Sequence, residues 1–336
     1  MSNFPDMVTQ FGGVPTGSPF GWKSGSKTWF VDGDAAATGD GRSINRPFKT
    51  IAEAIAAASA WDVIYIAPLT YTTLAYSYPG LNTAYAESTS IAYAKAGLAV
   101  VGIAHQGFRG VPHGVVIRET ASATTANMSV YAPLCAFENL AFERGGTETG
   151  GQLTFQGGTT LTYEGNGGTV YNCYFFMGNG TTAISPGYAG AISAGQVWGL
   201  TVDNCHFLGC RIGIQFNSGT ATAGSFVAKN LTFASRNAAA TDIDADIVSY
   251  TLGSTNILID NITCAHLIPS LSGGSFLRYI SLTADVRQGI ISRVRTGNVQ
   301  AGTLTCGSAG TGIICPDNVG VCECYNGKNL LMVEST

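Results

Sequence analysis

The sequence predicts a right-handed parallel β-helix, a solenoid of stacked coils, and three observations predict it. A short apolar motif with a central asparagine recurs along the chain. The composition is rich in glycine and poor in charge. A strand–loop–helix–strand segment stands ahead of the repeats, where an open solenoid core would need a cover.

The recurring lines are AFENLAF (136–142), TVYNCYF (169–175), TVDNCHF (201–207), FVAKNLTF (226–233) and ILIDNITC (257–264). Their asparagines, Asn139, Asn172, Asn204, Asn230 and Asn261, are separated by steps of 33, 32, 26 and 31. One more step of 32 reaches Arg293, where IISRVRT keeps the apolar alternation and loses the Asn. Each line reads as strand, bend and strand. Asn tolerates the left-handed backbone such a bend needs, and its amide can bond along a stack of equals, so the five asparagines are expected to form a structural ladder. Repeats at a 20–50-residue period mark a solenoid or related array, and about thirty residues fit three short strands with their turns.

Glycine accounts for 44 of 336 residues and charged residues for 11%, against roughly 25% charged in an ordinary globular protein. Length alone would suggest about two domains, but a solenoid grows one elongated core coil by coil. A net charge of −4 with 17 Lys+Arg and no basic run argues against a nucleic-acid partner. No run of eighteen apolar residues speaks for a membrane span. The first twenty residues lack the charged start and apolar middle of a secretory signal, so folding in a cytoplasm is expected. Without a signal, the nine cysteines (135, 173, 205, 210, 264, 306, 315, 322 and 324) read as buried free thiols. Cys173, Cys205 and Cys264 in particular take inward positions beside the ladder.

The chain divides into three parts. Residues 1–28, Pro/Gly/Ser-rich with scattered aromatics, read as an extended N-terminal arm. Residues 29–300 form the β-helix, with a capping helix near 50–60 that opens at Thr50 and carries Glu53 three places on. Residues 301–336 supply the final coil or coils, or a small C-terminal cap. Gly/Thr/Ser-rich stretches at 145–168, 178–190 and 234–246 read as loops thrown out between the repeated lines.

The string FVDGDAAATGDGRSINRPFKTIAEAIAAASAWDVIYIAPLTYTT, within 29–73, resembles the entry segment of the pectate-lyase-like β-helix superfamily. That pattern runs through a DG…GDG…PFKTI loop and a capping helix to DVIYIAPGTY, and Leu69 stands here where Gly is usual. The leader TQFGGVPTGSPFG ahead of FVDG is similar to the start of phage virion proteins that carry a β-helix behind an arm. The first resemblance implies the fold without fixing the function. The second implies a structural virion protein: a homotrimeric capsid decoration (cement) protein or spike-like component. Its partner would be the major capsid protein or another virion protein, its site the capsid surface, and its place of assembly the host cytoplasm.

The alternative is an enzyme or a binder: a tailspike-type depolymerase (polysaccharide lyase or glycoside hydrolase), or a carbohydrate-binding rod, acting on host surface polysaccharide. A hydrolase of this fold needs paired carboxylates. Asp203 and Asp260 precede their ladder asparagines two coils apart, roughly 10 Å at the spacing of adjacent strands. Asp242, Asp244 and Asp246 alternate in DIDAD and would share one strand face, as a solvated face or loop or, alternatively, as an acid/base cluster. Outward Tyr163, Tyr174 and Trp198 could line a glycan groove. Asp32, Asp34 and Asp40 do not follow EF-hand order. The spacing of Cys306, Cys315, Cys322 and Cys324 lacks zinc knuckles. His105, His113, His206 and His266 are scattered, with His206 expected on an outer strand face. No cofactor or metal is expected.

Overall fold

The computed structural model describes residues 10–11, 14–15, 27–70, 84–87, 89–103, 114–118, 128–144, 151–156, 165–177, 190–195, 197–208, 210, 212–216, 224–234, 245–249, 256–265, 278–282, 288–296, 313–315, 319–326, 329–330 and 333–335. Its architecture is a parallel β-helix. Each full coil lays down three strands in turn, and each strand pairs in parallel with its equivalents above and below.

The leading sheet stacks Thr28–Val31, Val63–Ile66, Ala99–Gly102, Ala136–Glu138, Thr169–Tyr171 and Thr201–Asp203. It continues through the first halves of Val227–Ala234, Ile257–Ala265 and Gly289–Thr296 to Val319–Cys322. The middle sheet stacks Tyr85–Ala86, Val115–Arg118, Leu140–Arg144, Tyr174–Met177, His206–Leu208 and the second halves of those three long strands. The closing sheet has nine strands, from Thr89–Ile91 through Leu153–Phe155 and Ala245–Ser249 to Val333–Ser335. Pairing is in register with no residue slip, so Phe137 lies beside Val170, Val170 beside Val202, and Val202 beside Ala228. Strand alternation then sends one column inward and its neighbour outward along the whole rod.

The core therefore consists of columns. One is aromatic: Phe142, Phe175, Phe207 and Phe233 stack face to face, with centroids 5.1, 5.0 and 4.7 Å apart and planes within 7–13° of parallel. All four are buried, and beyond Phe233 the column passes to Cys264. Cys173 and Cys205 are buried immediately after their ladder asparagines, as expected. Burial, reinforced by the neighbouring Cys173 thiol, pushes the Cys205 thiol well up.

The helix Ile51–Ala57 buries Ile51, Ala54 and Ile55 in the same core as Trp29, Ile64 and Ile91. Its capping box is complete. Glu53 N donates to Thr50 Oγ1 at 3.1 Å and Thr50 N to Glu53 Oε2 at 3.0 Å. Glu87, from the second coil, accepts the Ile51 and Ala52 N–H groups at 2.5 and 2.7 Å, and Lys95 Nζ donates to the Ala56 and Ala58 carbonyls at the other end. Trp29 and Asp62 close the first coil: the buried Asp62 carboxylate accepts Lys27 N, Ser59 N and Trp29 Nε1. Burial raises its pKa, but these three bonds together outweigh that and hold it low.

One sequence expectation needs revision. The stretch 145–168 is not simply a loop, because Leu153–Phe155 is a full member of the closing sheet, paired with Met128–Val130 and Ile192–Ala194. Within 301–336 the described strands carry the coils onward. Ile313–Cys315 and Val319–Cys322 extend the closing and leading sheets, with one antiparallel turn, Tyr325–Asn326 against Asn329–Leu330. In the arm, Gln10–Phe11 pairs antiparallel with Val14–Pro15; the rest of 1–26 lies outside the described residues.

Candidate functional site: the ladder edge and its charged column

All five ladder asparagines occupy the left-handed region, with φ between 51° and 56°. Arg293 and Glu323 take the same conformation at φ 52° and 53°, so the bend continues two coils past the last Asn. In the other direction the position passes to Gly102, where a Cβ would come within 2.1 Å of the Asn139 carbonyl oxygen. The backbone N–H of each bend residue reaches one coil up: Asn139 N donates to Tyr171 O, Asn172 N to Asp203 O and Asn204 N to Lys229 O.

The side chains form a ladder with one break. Asn172 Nδ2 donates to Asn139 Oδ1 at 2.5 Å, Asn204 Nδ2 to Asn172 Oδ1 at 3.1 Å, and Asn261 Nδ2 to Asn230 Oδ1 at 2.8 Å. Asn230 Nδ2 instead donates to Asp203 Oδ1 at 2.8 Å. The break falls at the shortened step of 26 residues.

The residues that precede the bends form an outer column in register: Glu138, Tyr171, Asp203, Lys229, Asp260, Ser292 and Cys322. From Asp203 onward, charged contacts join the amide bonds. Lys229 Nζ lies 3.3 Å from Asp203 Oδ2, between the two aspartates that could have formed a catalytic pair. Asp260 accepts Ser292 Oγ and Arg293 Nε, both at 2.7 Å, and Arg293 Nη2 closes a second contact on its other oxygen. The Arg293 hydrogen bonds, against a smaller opposing effect of burial, pull the Asp260 carboxyl down to about 2. A general acid needs the opposite shift, so Asp260 is a fixed anion that ties one coil to the next.

A second column of left-handed residues, five positions ahead of the first, was not foreseen. Gly97, Leu134, Gly167, Gly199, Ser225 and Asn256 have φ between 54° and 74°, and Trp61 begins the column at 68°. Here too each N–H reaches up a coil: Gly97 N to Pro133 O, Leu134 N to Asn166 O, Gly167 N to Trp198 O and Gly199 N to Gly224 O. Large side chains on this edge lie over glycines of the next coil. The Trp61 ring covers Gly97 and the Trp198 ring covers Gly224, where an added Cβ would stand 2.0 and 2.3 Å from ring atoms. The constant offset of five was present in the sequence. The residue types at the position (Trp, Gly, Leu, Ser, Asn) hid it.

The remaining candidates fall as follows. Asp242 and Asp244 lie outside the described residues, and Asp246 is on the strand Ala245–Ser249. Tyr163, His105, His113, His266 and Cys306 are also outside them. Tyr174 does not line a groove: it is only 8% exposed, packed with Val116, Ala141 and Phe176 on a buried outer patch of the middle sheet. His206 is on that outer face as expected, half-buried, 6.1 Å from the Tyr174 ring. Trp198 is 43% exposed. Asp32 and Asp40 each close a local turn, accepting Asp34 N and Arg42 N, while Asp34 accepts Thr70 N. Cys322 is exposed and Cys324 buried. Among the described residues, no three His, Cys, Asp or Glu side chains are grouped to hold a metal ion, and no helix is long and apolar enough to cross a membrane.

Compared with protein-family models, with curated proteins and with solved structures, the chain matches none.

Proposed function

We propose that this chain is a structural protein of a bacteriophage virion. It serves as a homotrimeric capsid decoration protein that docks by its N-terminal arm on the major capsid protein and projects the β-helix outward from the capsid surface. One observation carries the reading. Among the described residues, the charged and hydroxyl side chains Asp203, Lys229, Asp260 and Ser292 of the outer column, with Arg293 at the bend, are spent on coil-to-coil contacts. A rod whose polar inventory maintains its own stacking is suited to bearing load and resisting proteolysis. The arm-like leader supplies the attachment.

The docking step is tested with purified heads of the phage that encodes the chain, stripped of the protein. Full-length chain is expected to co-sediment with them, and a 27–336 truncation to remain in the supernatant. Equal binding by both would remove the arm from the account.

A second reading, a carbohydrate-binding or depolymerising tailspike, is favoured by the exposed Trp198, whose ring packs against Gly224 at the rod's edge. Incubation with host surface polysaccharide separates the two. Release of oligosaccharides, lost in D242A or D244A, would establish the tailspike reading.

A further inference from the structure

Parallel sheets are ordinarily covered on both faces, and their strands read as unbroken apolar runs. The last long coils of the leading sheet have such runs, Ile257–Leu258–Ile259 and Ile290–Ile291. Ile257, Ile259 and Ile291 fill the core, whereas Leu258 and Ile290 point outward, 38% and 52% exposed. Val227, Leu258 and Ile290 are in direct register, forming an apolar stripe down three successive coils about 4.8 Å apart. Earlier in the same outward column Val63 and Ala136 are buried, at 6% and 9% exposure, and Ala99, Thr169 and Thr201 are half-buried, so the exposed apolar stretch is confined to the later coils.

The stripe is bordered on one side by Lys229, Asp260 and Ser292, with Arg293 at the bend. On the other side it is bordered by exposed Ser225, Asn256 and Gln288. The charges alternate and are paired within the chain, so the border has no net field to draw a polyanion or an anionic surface. A flat apolar strip with a neutralised border suits another flat strip of the same kind.

We infer that Val227, Leu258 and Ile290 form the contact with further copies of this chain, with the rods parallel about an axis that runs along them. Charge decides the orientation. In an antiparallel pair the two-fold axis that sets Leu258 on its copy also sets Asp260 on its copy, and like charges face across the contact. In a parallel arrangement each stripe residue meets its own copy at its own level. The charged border of one rod then lies against the neutral Ser225–Asn256–Gln288 border of the next. Parallel rods also leave all arms at one end. The inference rests on the homotrimer reading above and assigns it a surface.

Two measurements test it. Light scattering coupled to gel filtration is expected to give an oligomer for the wild-type chain and a single 34.8 kDa chain for L258D/I290D. In a C322S background, which removes the native thiol exposed among the described residues, I290C and L258C should each form disulfide-linked dimers under mild oxidation, with C322S itself as the blank. A monomeric wild-type protein would overturn the assembly reading as a whole. An L258D/I290D protein that remains oligomeric would overturn this surface alone, and cross-linking at L258C without I290C would overturn the parallel orientation.

Discussion

Asn172 occupies the middle of the ladder, and its side chain has two separable roles. It donates to Asn139 and accepts from Asn204, and it permits the left-handed bend at φ 51°. N172G keeps the backbone freedom and loses the amide bonds, which should cost about 1–2 kcal/mol. N172A also loses the tolerance for positive φ, adding about 1–2 kcal/mol. Urea unfolding midpoints would show this order; equal midpoints for the two variants would mean that tolerance of positive φ contributes nothing, and an N172G midpoint equal to that of the wild type would mean that the amide does nothing beyond the turn. Arg293 poses the converse case. Because it already holds the bend at φ 52°, and a solvent-exposed ion pair contributes little, R293N should leave the unfolding midpoint close to that of the wild type. Asp260 adds a pH signature. Its folded pKa of about 2 lies below the ordinary carboxylate value of about 3.9, so its contribution is complete above that value and is lost as pH falls toward 2. Unfolding rates should rise over that window, and D260N should flatten the rise. The ladder itself was legible because Asn is a conspicuous marker of a left-handed bend. The step to Arg293 was legible from the spacing, but the shared left-handed bend at Arg293 and Glu323 was hidden, since neither residue type announces positive φ. That Lys229 separates the two aspartates depends on side-chain reach, which sequence spacing does not carry.

At the scale of the elements, the stacked phenylalanines bind the middle sheet from within. Phe207 has a ring on either side, Phe175 at 5.0 Å and Phe233 at 4.7 Å, so truncation opens a cavity that neither neighbour can fill. F207A should cost about 3–5 kcal/mol, while F207L keeps most of the volume and should cost less; both are measurable by thermal unfolding. The outer edge offers a second test. G224A places a methyl group 2.3 Å from the Trp198 ring and should lift the indole off its seat, shifting tryptophan emission to the red. In a W198A background the same glycine change should leave emission unaltered. The leading and middle strands were readable because their apolar alternation brackets the Asn. Leu153–Phe155 was missed because a three-residue strand inside GGQLTFQGG carries only two inward side chains, too few to stand out from the surrounding glycines. The covered outer patch around Tyr174 was equally invisible: alternation says that a residue faces outward and cannot say what lies over it.

For the whole molecule, the in-register stacking and the two left-handed columns give a rod in which each coil is held by its neighbours. Such a rod needs its ends closed. Here the helix Ile51–Ala57 packs into the core beside the first strand, braced by Glu87 and Lys95 from later coils. Weakening that brace by E87A should open the N-terminal coil to proteolysis before the remainder of the rod, giving a protected fragment on mass mapping; simultaneous loss of all coils would contradict coil-by-coil stability. The central claim, that the rod is a structural component of a phage head, meets its most direct test in counting. Quantitative mass spectrometry of purified particles, with immunogold labelling of the same preparation, measures copy number and position together. The account predicts copies in the hundreds distributed over the head. A handful confined to the tail, or none in the particle, would contradict it.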